Sequence, residues 1–563
     1  MGEVSIYDDQ CTAKTAFDRP CIVLSGILLV SASIRFSGTR RRIVWWQDRF
    51  RPFVAAPCCF TAMKAIAAFL VCALASLALG GEANDPCTPP NFPLPEFRSA
   101  VFNVRDFGAT GNGDTNDTSA INRAIDACSM SGGGNLVFPP GTYSAASIHL
   151  KSNVRFVLDK NAIITGAASG YDPPEPNEFD KYQDFGHSHF HNALMWGEKV
   201  ENFAIIGGRV NGGHIIKEDD PRGRDIGDKV ISIKSGRHLL FQNVTHETGG
   251  HFVYLLNDCE DVTIDNVTIK KSRDAVNLVG CRNVQLHDCN FTGCGDDTLA
   301  LKSDYALGRK IKSENIYAWN CYFETACNAL QFGAETVGDF QNINFWNICI
   351  GRAWKAAIGV TSANGGIIDG VHYRDIDIKD AACPIFLRVT SKLKTGELIK
   401  SIGAIRNVTI SNVTVSDCQA GEGGWPRTSF ISGQPESLLE HIVLDNVKIR
   451  YNGGGKKEEA ERDVPDSNQN SGKTLGPLPA AGFYIRHVKN LTLRNVDLEF
   501  KAEDARPVIA AFDVTGFRLD ELRLQRSPGE ASLRLEKIDN LSVSHSSPLR
   551  DRINENVESM TRE

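Results

Sequence analysis

Two adjacent carboxylates, Asp296 and Asp297, close the polar turn Gly293-Cys-Gly-Asp-Asp-Thr-Leu-Ala-Leu-Lys-Ser-Asp304 just before an apolar run that reads as a strand. Side chains alternate between faces along a strand, so extending Leu299 and Leu301 backwards without a bend would bury Asp297 with them. A corner at Gly295 avoids that. A third carboxylate, Asp274, occurs in Ser272-Arg-Asp-Ala275. Carboxylates at close quarters resist ionising together, the condition for one acid and one base near neutral pH. Such a pair hydrolyses glycosidic bonds, the acid protonating the leaving oxygen while the base activates water.

An internal repeat is what must position them. Leu239, Val262, Val284, Ile316, Ile343, Val371, Val408, Ile442 and Leu491 are each followed four residues later by Asn or Asp, at 243, 266, 288, 320, 347, 375, 412, 446 and 495. The shortest anchor separations are 23 and 22 residues, and the longer ones accommodate loop insertions. Short β-branched strands at this period, bounded by Gly, Asn and Asp turns, predict an all-β solenoid, a single-stranded parallel β-helix with one repeat per coil. Equivalent positions then stack about 4.8 Å apart, and the Asn column forms an amide ladder.

Counting twelve residues from successive anchors gives His251, Asp274, Asp296, Asn328 and Lys355, predicted to form one polar column on the outer surface with Asp297 beside it. Two carboxylates at coil spacing repel by at most about 4 kcal/mol at an effective dielectric of 20, enough to keep one protonated. A solvated acidic turn or a calcium site would use the same residues, but two carboxylates in phase with a third adjacent favour catalysis. Lys302, Lys355 and Arg388 are candidates for binding an anionic substrate.

Other motifs dissolve into the repeat. The Asn-Val-Thr and Asn-Leu-Thr sequons are repeat positions, and His246-Glu-Thr-Gly-Gly-His251 has a residue too many and two glycines too many for a helical zinc motif. His187, His189 and His191 alternate as on a strand. Of 16 cysteines, those sharing a phase (Cys259 with Cys281, Cys289 with Cys321) read as stacked core residues rather than disulfides. A net charge of -7 argues against nucleic acid. Met63-Lys64 followed by the apolar run to Gly80 reads as a secretory signal peptide (63–80), with 1–62 a spurious or disordered extension. The expected organisation is a β-helix domain over 98–545, an exposed loop at 453–477 and a tail at 546–563. The expected protein is a secreted or periplasmic monomer with no membrane association beyond the signal peptide.

The stretch Phe102-Asn-Val-Arg-Asp-Phe-Gly-Ala-Thr-Gly-Asn-Gly-Asp, with Gly132-Gly-Gly-Asn-Leu-Val-Phe-Pro-Pro-Gly-Thr-Tyr143, looks like the opening of many pectin-acting β-helix enzymes. Gly295-Asp-Asp-Thr-Leu-Ala-Leu-Lys302 resembles the Gly-Asp-Asp motif of glycoside hydrolase family 28, the polygalacturonases and rhamnogalacturonases, and Ser272-Arg-Asp-Ala275 sits where that family has Asn-Thr-Asp-Gly. The resemblance, over roughly residues 100–500, implies a right-handed, pectin-lyase-like helix and inverting hydrolysis of pectic chains. It makes Asp296 the general acid and gives Asp274 and Asp297 the water, with no metal or organic cofactor. The family's Gly-His-Gly falls near Cys327-Asn328-Ala329 and its Arg-x-Lys near Ala357-Ile-Gly-Val-Thr361, so its histidine and both cations are missing. These departures argue against unsubstituted polygalacturonate as the substrate. A polysaccharide lyase on the same fold and a non-catalytic carbohydrate-binding β-helix are the alternatives.

Overall fold

The computed structural model describes residues 87–560 except 184, 213–228, 391–400, 420–423 and 467–470, all within one compact unit, Pro86–Glu563. The expected extension (1–62) and signal peptide (63–80) lie outside the described residues. Among the described residues, no helix is long and apolar enough to cross a membrane.

The chain winds as a parallel β-helix. All nine predicted anchors pair in unbroken register, Leu239 with Val262, Val262 with Val284, and so on to Ile442 with Leu491. Their side chains fill the interior, fully buried from coil to coil. Burying each such aliphatic side chain stabilises the fold by about 1.5–3 kcal/mol, and the repeat supplies one set per coil. The predicted ladder forms as well: Asn266 donates to Asn243 at 2.7 Å, Asn347 to Asn320 at 2.6 Å and Asn446 to Asn412 at 2.8 Å. These residues turn the chain with left-handed backbone, for example Asn266 at φ 50° and Asn412 at φ 53°. Asn and Asp tolerate that region better than other non-glycine residues, so the repeat selects them for the corner as well as for the ladder.

Three strands per coil make three faces. The third face carries strands Phe252–Asn257, Asp274–Val279, Leu299–Ser303 and Leu330–Thr336, paired in succession. The helix Thr118–Met130 closes the first coils, burying Ile121, Ala124, Ile125 and Cys128 along one stripe.

Two expected segments differ from their predictions. Val464 and Leu475 of the 453–477 loop are buried in an apolar cluster with Phe386, Phe430 and Tyr484, because the third face presents an aromatic column there that needs covering. The 546–563 tail contains a strand, Arg552–Met560, that pairs antiparallel with Leu533–Ser544 and occupies the last open edge. The cysteines follow the expectation: Cys259, Cys281, Cys289 and Cys321 are free thiols buried in the core.

Candidate active site

Asp274 opens the strand Asp274–Val279, while Asp296 and Asp297 lie in the corner between Asn290–Cys294 and Leu299–Ser303. The corner is where sequence reasoning put them, but their stacking differs. Ser272 pairs with Cys294 whereas Val276 pairs with Leu299, so the later coil holds one extra residue between the two pairs. That insertion makes a bulge opposite Asp274: the Asp296 N–H still donates to the Arg273 carbonyl at 2.8 Å in the earlier register, and the Ala275 N–H donates to the Asp297 carbonyl at 3.0 Å in the later one, so both aspartates face Asp274. Leu299 pairs in turn with Leu330, which puts Asn328 over Asp297. The single expected column is therefore two: Asp274, Asp297 and Asn328 on the strand positions, and His251, Arg273, Asp296, Cys327 and Lys355 along the outer rim.

Burial also departs from the expected outer surface. Asp274 is 2% exposed and Asp297 7%. Asp296, with 28% of its side chain exposed, is the carboxylate that solvent reaches. Asn277 donates to Asp274 Oδ2 at 3.1 Å, Asn328 Nδ2 donates to Asp297 Oδ1 at 2.9 Å, and the backbone N–H of Ala356 fixes the Asn328 amide by donating to its Oδ1 at 3.1 Å. Burial, followed by the charge of Asp296, pushes the Asp274 carboxyl up to about 8 and Asp297 to about 6. The group titrates as a unit and retains a proton around neutrality.

Two cations balance the carboxylates. Arg273 donates from Nη2 to Asp296 Oδ2 at 2.8 Å, lies 3.8 Å from Asp274 Oδ1, and donates from Nη1 to His251 Nε2. Burial, with Arg273 next, drops His251 to about 2, so it stays neutral and accepts that bond. Lys302 is buried and lies 3.3 Å from Glu335 Oε2, and it donates to His187 Nε2 at 3.2 Å. Burial opposes its charge, but Glu335, Asp274, Asp297 and Asp296 outweigh that and raise its proton affinity. His187, held at about 3 by burial and by Lys302, is neutral.

The cleft, of about 180 Å³, is lined by Asp296, Asp297, Cys327, Asn328, Gln331 and Lys355, with Phe386, Trp425 and Ser471 as walls. Of the predicted binding residues, Asn328 and Lys355 line it, and Lys355 Nζ sits 2.7 Å from Cys327 Sγ. Lys302 lies beneath as a buried counter-ion, and His251 braces Arg273 from the rim. Arg388 is not in the cleft: it is buried farther along the same face with its guanidinium 5.3 Å from the Phe430 ring, because the aromatic column supplies a surface to stack on. Sequence reasoning missed Arg273, Glu335 and His187. Arg273 stood inside a quoted motif, and its charge beside Asp274 was the available signal. His187 was expected on a strand with His189 and His191, but Phe185–Ser188 is a helical turn, which separates them: His191 instead stacks on Trp196 at 3.8 Å and pairs with Glu198.

Oxygens of Asp296 and Asp297 and the sulfur of Cys327 lie within 4.8 Å of one another, but burial and the two aspartates push the thiol well up, so the sulfur is a protonated, poor ligand. The arrangement suits proton transfer at a group bound against Asp296.

Residues 101–353 match the model of a family described as rhamnogalacturonase A/epimerase, pectate lyase-like. The matched segment contains Asp274, Asp296, Asp297, Lys302 and Asn328, whereas Lys355 and the walls of the cleft follow it in the chain. The chain is 23% identical over 392 residues to an exopolygalacturonase of Zea mays, covering 64% of this chain and 86% of that protein. It is 28% identical over 290 residues to the plasmin and fibronectin-binding protein A of Streptococcus pneumoniae, covering 51% of this chain but only 35% of that protein's length. Among solved structures, a Family 28 exopolygalacturonase of Yersinia enterocolitica superposes with a TM-score of 0.58 at 15% identity, over 76% of this chain and 79% of that one. The chain thus shares the right-handed parallel β-helix fold with it.

Proposed function

We propose that the chain is an exported glycoside hydrolase that cleaves glycosidic bonds in pectic, galacturonate-containing chains, using Asp274, Asp296 and Asp297 as its acid and base groups. One observation carries the reading: buried Asp274 and Asp297 hold a proton near neutrality beside Asp296, the most exposed carboxylate of the three. In this mechanism Asp296 delivers the cluster's proton to the leaving oxygen. Water adds to the anomeric carbon, and its proton returns to the carboxylates, so the cluster ends with the proton it began with. Asn328, at the position where the resembling family has histidine, orients Asp297. Lys355, on the rim of the cleft, offers the cation for a uronate carboxylate that the missing Arg-x-Lys does not.

The maize relative, an exopolygalacturonase by name, supports the substrate class. The pneumococcal relative is named for binding, but burying two carboxylates is costly and brings no advantage to a protein that only binds. The resemblance implies inversion. Inversion follows from direct attack of water, whereas retention would need a carboxylate to attack the anomeric carbon first. Proton NMR of the first-formed anomer distinguishes the two. Reducing-sugar release over a panel of pectic oligosaccharides tests the whole reading: wild-type protein that releases nothing from any of them refutes it.

A further inference from the structure

The third face has outward positions that stack from coil to coil through the site. Before it come Ser232, Leu255 and Asn277, and after it Phe386, Phe430 and Tyr484, all in one register column. With about 4.8 Å per coil, a polysaccharide lying along the axis and cut in its interior would have to run over these positions on both sides of Asp296. All six are buried, at 2% exposure or less.

The covers are specific. On the earlier coils, Phe190 packs with Phe252, Leu255 and Val279, and Leu307 joins them from another loop. The strap bearing Phe190 is tied down: Asn177 donates to the carbonyls of Ser188 at 2.7 Å and Ala306 at 2.9 Å, and the Glu175 carboxylate accepts from the Phe190 N–H at 2.9 Å. On the later coils, Val464, Leu475 and Leu478 lie over the stacked rings of Phe386, Phe430 and Tyr484, and Trp425 stands 5.2 Å from Phe386. Between the covers lies the cleft around Asp296, Asn328, Gln331 and Lys355.

We propose that this site is a pocket for one end of a sugar chain, so that the enzyme releases short units from chain termini and does not cut internally. The inference rests on the hydrolase reading and adds its mode of action. The terminal sugar enters against Gln331 and Lys355 with Trp425 as its wall, the scissile oxygen meets Asp296, and the rest of the chain leaves toward solvent. Among the described residues, the strap on one side and Val464, Leu475 and Leu478 on the other cover the outward column, so a chain does not continue in both directions along the axis.

The test is product size in the earliest turnovers of the full-length protein on end-labelled pectic oligosaccharides of defined length, with polymer viscosity followed in parallel. The expected result is a single smallest product, substrate shortened by that unit alone, and viscosity that falls slowly as reducing ends accumulate. Release of a spread of intermediate lengths with a rapid fall in viscosity overturns the end-acting pocket and leaves the hydrolase reading standing. Absence of release from any pectic substrate overturns both.

Discussion

Replacing Asp274 with Asn should stabilise the fold at neutral and alkaline pH while abolishing activity. In the unfolded chain this carboxyl ionises near its ordinary value of about 3.9, but in the folded protein burial and Asp296 raise it to about 8. Because the folded state holds the proton more tightly, the stabilisation from the protonated carboxyl is complete below about pH 4 and is lost as the pH rises to about 8. Over the roughly three pH units from 4 to 7, at about 1.4 kcal/mol per unit, the wild-type protein loses on the order of 4 kcal/mol. An asparagine does not titrate, and its amide oxygen can accept the same bond from Asn277, now 3.1 Å from Asp274 Oδ2. Urea unfolding of both proteins at about pH 4.5, 6 and 8 measures the difference. Asp274→Asn should match wild type at the lowest pH and exceed it by a few kcal/mol at the highest. A gap that stays constant with pH, or a variant weaker than wild type at pH 8, would show that Arg273 and Lys302 hold Asp274 ionised and would refute the reasoning.

Asp296→Asn should lower turnover by about 10²–10⁴-fold, the usual contribution of a general acid, with an unchanged circular dichroism spectrum; undiminished release removes Asp296 from the mechanism. Arg273→Gln takes a cation away from the carboxylate cluster, so the cluster binds its proton more tightly and the alkaline limb of the activity profile should move up by about one pH unit. A limb that stays in place or moves down would mean that Arg273 only packs. Lys355→Ala should raise KM about tenfold for oligosaccharides with free carboxylates and leave methyl-esterified ones nearly unaffected, as expected for a charge-assisted bond worth about 1.5 kcal/mol; equal effects on both would assign Lys355 a structural role.

The solenoid was legible because its strongest determinants are local and periodic. An aliphatic anchor followed four residues later by Asn encodes both an inward strand and a left-handed corner, and nine copies put the chain in register from Leu239 to Leu491. The carboxylates were legible as a group because they share one corner of that repeat. That Asp297 joins Asp296 opposite Asp274 was not, since a single extra residue between Cys294 and Leu299 shifts the register, and counting from anchors cannot say where in a coil an insertion is absorbed.

The remaining features depend on contacts between segments far apart in the chain. Phe190 with Leu255, Val464 with Phe430 and Lys302 with His187 have no common period, so nothing in the sequence marks them as partners. Asp274 is likewise buried by its packed surroundings, and removal from water is the largest cause of its raised proton affinity. Sequence by itself determined the coil, its corners and the presence of three carboxylates at one of them. Only the tertiary structure decided which of the three meets solvent, which keep a proton and how far the cleft extends, because burial and dielectric belong to the packed surroundings and not to the residue.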